Sequence, residues 1–318
     1  MILVYPLDLI SPVTEEELIQ IKKSAGDLEV ILTRDRAEAV RLSKDAQVIF
    51  GDICKEFFDN PSQLKWVQSV GAGVNKIVDF IGDRPVGLVS ARGLVGSHLA
   101  EHAFALLLSI TRGVAASIRN PGWENREAIR IKQWEFTDKV VAIVGMGSAG
   151  QAFAKRARGF EFHKIIGVDI NTETSAEYLD LLITPDKIES VISTCDVICL
   201  MLPLTPTNVG WFNYELMSKM KDSGILINVS RGGLVVQADL LRLLDEGKLQ
   251  AAGLDVLEDE PIDSKSELYE RENLVITPHI AGGSPLRSKR VIDQFCRNLE
   301  IWRAGGELQG IYDHNRGF

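Results

Sequence analysis

Three polar residues in the C-terminal part of the chain could together carry out acid–base chemistry on a small acid. Arg231 follows the apolar run GILINVS, Glu260 precedes a proline in AAGLDVLEDEP, and His279 lies in VITPHIAGG. A guanidinium is a planar fork with a permanent charge, which suits a carboxylate. An imidazole titrates near ~6.5, and a nearby carboxylate favours its charged form, so the pair can act as a general acid and base. Each residue taken singly also has an ordinary structural interpretation.

A glycine-rich turn earlier in the chain indicates the cofactor chemistry that would accompany these residues. The strand-like run VVAIV leads directly into GMGSAG, and a helical stretch follows. In a dinucleotide-binding turn, Gly145 permits the tight bend, Gly147 lets the backbone approach a pyrophosphate, and Gly150 lets helix and strand pack closely. The N–H groups of Ser148 and Ala149 would point at the phosphates from the helix N-terminus. The alternative interpretation is an ordinary glycine-rich turn.

The position of Asp169 favours the dinucleotide interpretation. The next strand-like run, KIIGV, ends in Asp169, about 20 residues beyond Gly150, where an acid meets the ribose hydroxyls. A carboxylate there also repels a 2′-phosphate, so NAD is predicted in preference to NADP. Behind such a motif, the sequence order of Arg231, Glu260 and His279 predicts a catalytic set rather than three unrelated residues.

The elements that must position these residues alternate between strands and helices. Strand-like runs lie at 2–5, 28–33, 46–50, 65–70 and 87–90. A long apolar helix is predicted from His98 to about Ala116, six further strand-like runs begin at Lys139, and a final helix is predicted from Ser284 to Ala304. This alternation predicts an α/β protein with doubly wound parallel sheets covered on both faces.

The same pattern predicts two domains, one inserted into the other. Residues 1–98 and 284–318 are expected to form a substrate (catalytic) domain, and residues 99–283 an NAD-binding Rossmann domain. The final helix is expected to pack back on the N-terminal domain. A chain of 318 residues is long enough for each domain to bury its own core.

The composition argues against several other classes of protein. The net charge of −9 would repel nucleic-acid phosphates and anionic membranes, and no apolar stretch is long enough for a membrane span. The N-terminus lacks the basic segment and cleavage site of a signal peptide. The cysteines lack metal-ligand spacing, so we expect no metal site, and we interpret them as reduced thiols of a cytoplasmic protein: Cys54, Cys195, Cys199 and Cys296.

Several motifs, in order along nearly the whole chain, resemble those of the D-isomer-specific 2-hydroxyacid dehydrogenases. The resembling segments are SVGAGVN, AEHAFALLL, GMGSAG, LPLTPTN, INVSRGGLV, AAGLDVLEDEP and TPHIAGG. The resemblance implies a flavodoxin-like substrate domain and an inserted Rossmann domain. It also implies the NAD-dependent interconversion of a small 2-keto acid, such as glyoxylate, hydroxypyruvate or pyruvate, and its D-2-hydroxy acid.

The resemblance further implies a role for each residue of the site. Arg231 would bind the substrate carboxylate and polarise the keto oxygen, His279 would exchange a proton with that oxygen, and Glu260 would hold the imidazole. The backbone of Ala72 and Gly73, in a small-residue turn that suits an anion, would hold the carboxylate from the other domain. Beyond the glycine turn, cofactor contacts are implied for Pro203, Val229, Ser230, Asp255 (to the nicotinamide carboxamide) and Gly282.

The sequence departs from the family where the substrate side chain would bind. The family often has Asp at the place of Asn75 and Asn near Ala91 and Arg92. These departures concern the choice of substrate rather than the chemistry. Arg92 would suit a second anionic group, and His98 is expected to be a helix N-terminal residue without substrate contact.

The oligomeric state and two alternative functions also follow from the resemblance. The helix from His98 and the Trp123–Trp134 connection resemble a two-fold dimer surface, so a homodimer is predicted. An NADP-preferring glyoxylate/hydroxypyruvate reductase is one alternative. The other is an NAD-sensing corepressor that binds peptides, since that branch of the family retains the same three catalytic residues.

Overall fold

The chain folds into two units, and the second is inserted into the first. The computed structural model describes residues 1–6, 9, 11–59, 61–173 and 177–313. One unit comprises Met1–Val95 with Gly283–Phe318, and the other comprises Gly96–Gly282. Residues 314–318, which the sequence analysis assigns to the substrate domain, lie outside the described residues.

The described residues form twelve β-strands and ten α-helices. The strands are β1 Ile2–Tyr5, β2 Val30–Leu32, β3 Val48–Gly51, β4 Trp66–Ser69, β5 Gly87–Val89, β6 Val140–Val144, β7 Lys164–Val168, β8 Leu181–Ile183, β9 Val197–Leu200, β10 Ile225–Asn228, β11 Ala251–Leu254 and β12 Leu274–Ile276. The helices are α1 Glu15–Ala25, α2 Arg36–Ser43, α3 Asn75–Ile81, α4 Gly96–Thr111, α5 Val114–Arg119, α6 Arg126–Arg130, α7 Ser148–Gly159, α8 Tyr214–Met217, α9 Gln237–Asp245 and α10 Pro285–Arg303.

The first unit contains a five-stranded parallel sheet in the order β2-β1-β3-β4-β5. This is the flavodoxin-like order of a doubly wound sheet. The central strands β1, β3 and β4 are fully buried, which explains why β1 and β3 are nearly continuous apolar runs instead of alternating patterns. All five predicted strand-like runs overlap an observed strand, so the strands of this unit could be predicted from the sequence.

Helix α10 packs on this first sheet. The ring of Phe295 stacks on Phe50 with centroids 4.3 Å apart, an arrangement that contributes about 0.5–1.5 kcal/mol beyond area burial. Asn298, which is fully buried, donates from Nδ2 to Oε1 of Gln68 over 3.2 Å. The prediction that the final helix returns to the N-terminal domain is therefore confirmed.

The second unit contains a seven-stranded parallel sheet in the order β12-β11-β10-β9-β6-β7-β8. Its strand order reverses between β6 and β9, as in a Rossmann fold. The sequence analysis predicted six of these strands and missed β8. This three-residue strand pairs only with β7, at an edge of the sheet, and its run LLI was not singled out in the sequence.

The long helix predicted from His98 to Ala116 is two helices. Helix α4 ends at Thr111, and α5 begins at Val114. Gly113 between them has a φ of 69°, a left-handed conformation that ends a helix and that glycine adopts at little cost. The apolar pattern continues across the break, which is why the sequence suggested one helix. No helix among the described ranges is long and apolar enough to cross a membrane.

Candidate active site

Five residues singled out by the sequence lie at one edge of the second sheet. Gly145 directly follows β6, Asp169 follows β7, Asp255 follows β11, and Arg231 and His279 come a few residues after β10 and β12. All of these strands are parallel, so their carboxyl ends meet at the same edge. In open α/β sheets, ligands bind outside this edge, near the reversal of strand order.

The glycine turn between β6 and α7 has the shape that a dinucleotide needs. Gly145 has a φ of 98°, and a Cβ atom there would lie 2.6 Å from the carbonyl oxygen of Met201. A Cβ atom on Gly150 would lie 2.0 Å from the carbonyl oxygen of Gly145. A Cβ atom on Gly147 would meet nothing within 4 Å, and this residue provides no side-chain cap for α7. The first N–H groups of α7, at Ser148 and beyond, therefore begin at a turn with room for a phosphate.

The half-buried carboxylate of Asp169 braces this turn. Its Oδ2 accepts from the backbone N–H of Met146 over 2.5 Å, and its Oδ1 accepts from the N–H of Asn171 over 2.8 Å. A carboxylate oxygen has two lone pairs, so each oxygen can accept one further hydrogen bond. The acid is thus held beside the glycine turn with acceptor capacity left for a hydroxyl group.

Strand β10 ends in a short hydrogen-bonded segment that leads to Arg231. Val229 and Ser230 are buried, and Ser230 donates from both its backbone N–H and its hydroxyl to Oδ1 of Asn228, over 3.0 and 2.9 Å. Nδ2 of Asn228 donates to the carbonyl oxygen of Arg231 over 2.9 Å. The side chain of Arg231 in turn donates from Nη1 to the carbonyl oxygen of Ser230 over 2.6 Å. These bonds hold the guanidinium of Arg231 in a fixed position beyond the end of strand β10.

The charge of Arg231 interacts with Glu260. Burial lowers the pKa of Arg231, and the negative charge of Glu260 opposes that shift. An arginine stays protonated throughout the physiological range, so the group remains a cation. The backbone on the far side of Arg231 also approaches the loop of Glu260, because a Cβ atom on Gly232 would lie 1.7 Å from the carbonyl oxygen of Leu257. Only glycine allows the two segments to approach this closely.

His279 and Glu260 form a hydrogen-bonded pair. Nδ1 of His279 lies 2.6 Å from Oε2 of Glu260, with the imidazole about half exposed. The other carboxylate oxygen, Oε1, accepts from the N–H of Leu257 over 2.8 Å, which fixes its orientation. An ionised carboxylate can only accept, so Nδ1 carries the proton and Nε2 is the atom that can exchange a proton with a ligand.

Asp255 holds the segment that carries His279. The side chain of Asp255 is buried, its Oδ1 accepts from the N–H of Ile280 and its Oδ2 from the N–H of Ala281, both over 2.9 Å. Its carbonyl oxygen accepts from the N–H of His279, also over 2.9 Å. His279 has a φ of 53°, a left-handed conformation that costs a residue with a Cβ about 1–2 kcal/mol. One acid thus stabilises a strained turn through three consecutive N–H groups.

Two further side chains contact Asp255. The hydroxyl of Thr277 donates to Oδ1 of Asp255 over 2.6 Å, and Nε2 of His102, on α4, lies 2.8 Å from that hydroxyl and 3.3 Å from the same Oδ1. Burial raises the pKa of Asp255, but the hydrogen bonds from His102, Thr277 and the two backbone N–H groups outweigh it, and the net pKa is lowered. The acid is therefore held ionised.

The sequence analysis did not single out His102 or Thr277. A second histidine in the predicted helix from His98 and a hydroxyl residue two positions before His279 were the available signals. Neither signal could be paired with Asp255 without the fold, because the residues are far apart in sequence.

The remaining predicted contacts lie in loops. Pro203 is exposed in the segment after β9, and its carbonyl oxygen accepts from Nδ2 of Asn208 over 2.9 Å. Gly282 follows the His279 turn as the last residue of the second unit. In the first unit, Ala72 and Gly73 lie between β4 and α3, in a turn where the hydroxyl of Ser69 accepts from the N–H of Gly71 over 3.1 Å.

Comparison with known proteins identifies the family of the chain. A family model described as "D-isomer specific 2-hydroxyacid dehydrogenase, NAD binding domain" matches residues 104–281. The chain belongs to this family. The matched segment covers almost all of the second unit, so that unit is a nicotinamide-dinucleotide-binding domain. The family acts on small 2-hydroxy and 2-keto acids, and this 2-hydroxyacid dehydrogenase is an oxidoreductase of that type.

Individual relatives extend the match to both units. A glyoxylate reductase of Pyrococcus furiosus is 31% identical over 266 residues, which cover 80% of this chain and 77% of the relative. The solved structure of a D-isomer specific 2-hydroxyacid dehydrogenase family protein from Aeromonas salmonicida has a TM-score of 0.82 and 27% identity, covering 98% of each chain. An NADPH-dependent glyoxylate/hydroxypyruvate reductase from Sinorhizobium meliloti, solved with NADP and sulfate, has a TM-score of 0.80 and 26% identity, covering 100% of this chain and 99% of that chain.

Proposed function

We propose that this 2-hydroxyacid dehydrogenase interconverts a small 2-keto acid and its D-2-hydroxy acid, with NAD as the cofactor. The observation that carries the proposal is the His279–Glu260 hydrogen bond of 2.6 Å, on a turn clamped by Asp255. Such a pair is the acid–base group that a keto–hydroxy interconversion requires. Glyoxylate, hydroxypyruvate and pyruvate are the candidate substrates.

The catalytic roles follow from the hydrogen bonds. Nε2 of His279 donates a proton to the keto oxygen in reduction and takes it back in oxidation. Throughout, the Nδ1–H group of His279 keeps its hydrogen bond to Glu260. The negative charge of Glu260 stabilises the protonated ring. Arg231 uses one N–H on Ser230, and the rest of its five-donor fork binds the substrate carboxylate in a bidentate manner and polarises the keto oxygen. When bound, the nicotinamide supplies or accepts the hydride.

The glycine turn and the strand-end residues hold the cofactor in this proposal. The open backbone of Gly147 and the N–H groups of Ser148 and Ala149 suit the pyrophosphate. Asp169 suits the ribose hydroxyls, and its charge disfavours a 2′-phosphate, which supports NAD. Contacts with the rest of the cofactor are assigned to Pro203, Val229, Ser230, Asp255 and Gly282.

The proposal assigns residues 1–98 and 284–318 to substrate binding and residues 99–283 to cofactor binding. Within the first of these segments, the backbone of Ala72 and Gly73 is assigned to the substrate carboxylate. The turn that carries them is braced on both sides, since Ser69 accepts from Gly71 and the N–H of Ala91 donates to the carbonyl oxygen of Gly71. A fixed turn of small residues can present its N–H groups to an anion.

We further propose a homodimer in the cytoplasm. Around α5 and α6, large apolar side chains are exposed, with Ile118 at 75%, Trp123 at 87% and Ile131 at 82%. Large apolar side chains exposed on neighbouring segments of the chain are consistent with a protein–protein interface. The four cysteines are free thiols, which suits a reducing compartment.

The proposed function is tested by NADH oxidation with a panel of 2-keto acids, using wild-type protein and His279→Ala. We expect one acid to be reduced rapidly, and His279→Ala to lose about 10²–10⁴-fold in kcat while it still binds NADH. His163→Ala is the matched control, because His163 is exposed and directly precedes β7, at the opposite edge of the sheet. If NADH binds but no acid is reduced, the proposal is wrong and an NAD-sensing role gains weight. Rapid turnover with NADPH alone would favour an NADP-dependent reductase instead.

A further inference from the structure

We propose that His102 is a positioning residue that keeps the turn of His279 in its active conformation, acting through Thr277 and Asp255. This inference rests on the proposed function, in which His279 is the proton donor. His102 does not contact Glu260 or His279 in the described hydrogen bonds, so its effect must pass through the groups that it does contact.

The direction of each hydrogen bond in this network can be assigned. The Asp255 carboxylate accepts from the hydroxyl of Thr277, which uses the only proton of that hydroxyl. Nε2 of His102, 2.8 Å from the same hydroxyl, must therefore be the donor. The same Nε2 atom also lies 3.3 Å from Oδ1 of Asp255. His102 is thus the donor at the end of a chain that runs through Thr277 to the carboxylate.

The carboxylate at the other end of this chain determines the shape of the catalytic turn. Its two oxygens accept from the N–H groups of Ile280 and Ala281, and these bonds maintain the left-handed φ of 53° at His279. Rotation of the carboxylate would weaken both bonds at once. The hydrogen bonds from His102 and Thr277 fix the rotation of the carboxylate about its Cβ–Cγ bond. Since the side chain of Asp255 is only 1% exposed, water cannot readily replace a lost donor.

This role predicts that activity depends on an N–H donor at position 102 and not on the imidazole ring itself. His102→Leu keeps a side chain of similar bulk but removes the N–H group. His102→Gln places an amide N–H where Nε2 lies, so it should retain the hydrogen bond. A merely structural role in packing α4 would instead be preserved better by leucine than by glutamine, because the side chain of His102 is 18% exposed and lies on a helix with an apolar core face.

The experiment combines steady-state kinetics with amide hydrogen exchange on the full chain. For His102→Leu we expect a fall of about tenfold in kcat, with little change in KM for the keto acid, because Arg231 still binds the carboxylate. We expect exchange at Ile280 and Ala281 to accelerate on the order of tenfold. His102→Gln should restore most of kcat and most of the protection at both amides.

Each outcome decides the inference. Equal losses in the leucine and glutamine variants, or wild-type kcat and protection in the leucine variant, would overturn it. So would a lowered Tm in the leucine variant with unchanged exchange at Ile280 and Ala281. If the wild type reduces no 2-keto acid, the proposed function fails, but the exchange measurement still tests whether His102 holds the turn.

Discussion

Nδ1 of His279 lies 2.6 Å from Oε2 of Glu260, although Glu260 follows β11 and His279 follows β12. The parallel pairing of these adjacent strands brings the two loops to the same edge of the sheet. Hydrogen bonds to neighbouring groups then fix the orientation of both members of the pair. Leu257 donates to the second oxygen of Glu260, and Asp255 clamps the backbone after His279.

Glu260→Gln tests the charge of this pair. The amide keeps the shape but has one acceptor oxygen for the two N–H groups of His279 and Leu257, and it removes the negative charge that stabilises a protonated imidazole. We expect kcat for keto-acid reduction to fall about 10–100-fold, as for the weakening of a general acid. Glu258→Gln, an exposed acid in the same loop, should be near wild type. Equal activity of Glu260→Gln and Glu258→Gln would show that Glu260 takes no part in the mechanism.

Asp169→Asn tests the cofactor preference. Asparagine keeps an acceptor oxygen for the N–H of Met146 but cannot repel a 2′-phosphate. We expect the ratio of kcat/KM for NADH over NADPH to fall about tenfold, the equivalent of 1.4 kcal/mol. The measurement is the initial rate with each cofactor at a fixed keto-acid concentration. An unchanged ratio, with an unchanged Tm, would show that Asp169 does not determine the preference.

Asp255→Asn tests the ionised clamp through the pH dependence of stability. The hydrogen bonds to Asp255 outweigh burial and lower its pKa in the folded state. A lowered folded-state pKa stabilises the protein above the unfolded-state value of ~3.9, and this stabilisation is lost as the pH falls through the folded-state pKa. We therefore expect wild type to exceed Asp255→Asn by about 1–3 kcal/mol in unfolding free energy at neutral pH.

Urea unfolding between pH 7 and pH 3 measures this difference. The gap between wild type and Asp255→Asn should be constant at neutral pH and should shrink below about pH 4. Asp259→Asn is the control, because Asp259 is exposed in the nearby loop and should show almost no gap. A gap that is the same at all pH values would mean that the charge of Asp255 does not stabilise the fold.

Trp123→Glu tests the proposed dimer. A charge in place of the exposed Trp123 should be unfavourable in an apolar interface, so we expect a dimeric wild type to become monomeric. Light scattering at micromolar concentration gives the molecular mass of the wild type and of Trp123→Glu. Ile19→Glu is the control, because Ile19 is an exposed apolar residue on α1, at 66%. A monomeric wild type, or a dimeric Trp123→Glu, would rule out this surface.

The sequence alone was sufficient to predict most strand positions, the glycine turn and the order of the polar residues. Buried parallel strands must be apolar along their length, and a dinucleotide turn needs glycine at fixed positions, so both leave local patterns. The patterns around β1, β6 and β10 were readable for this reason. The local patterns were not sufficient at β8, an edge strand whose run LLI was not singled out, or at Gly113, where a left-handed residue divides α4 from α5.

Only the tertiary structure decided which side chains meet. The resemblance implied a cofactor contact for Asp255, and the fold adds that its carboxylate accepts hydrogen bonds from Thr277, Ile280 and Ala281. His102 reaches the same acid from a helix more than 150 residues earlier in the chain. Contacts of this kind depend on strand order and helix packing, which place residues distant in sequence within hydrogen-bonding distance. The sequence therefore determined which chemical groups are present, and the fold decided which of them act together.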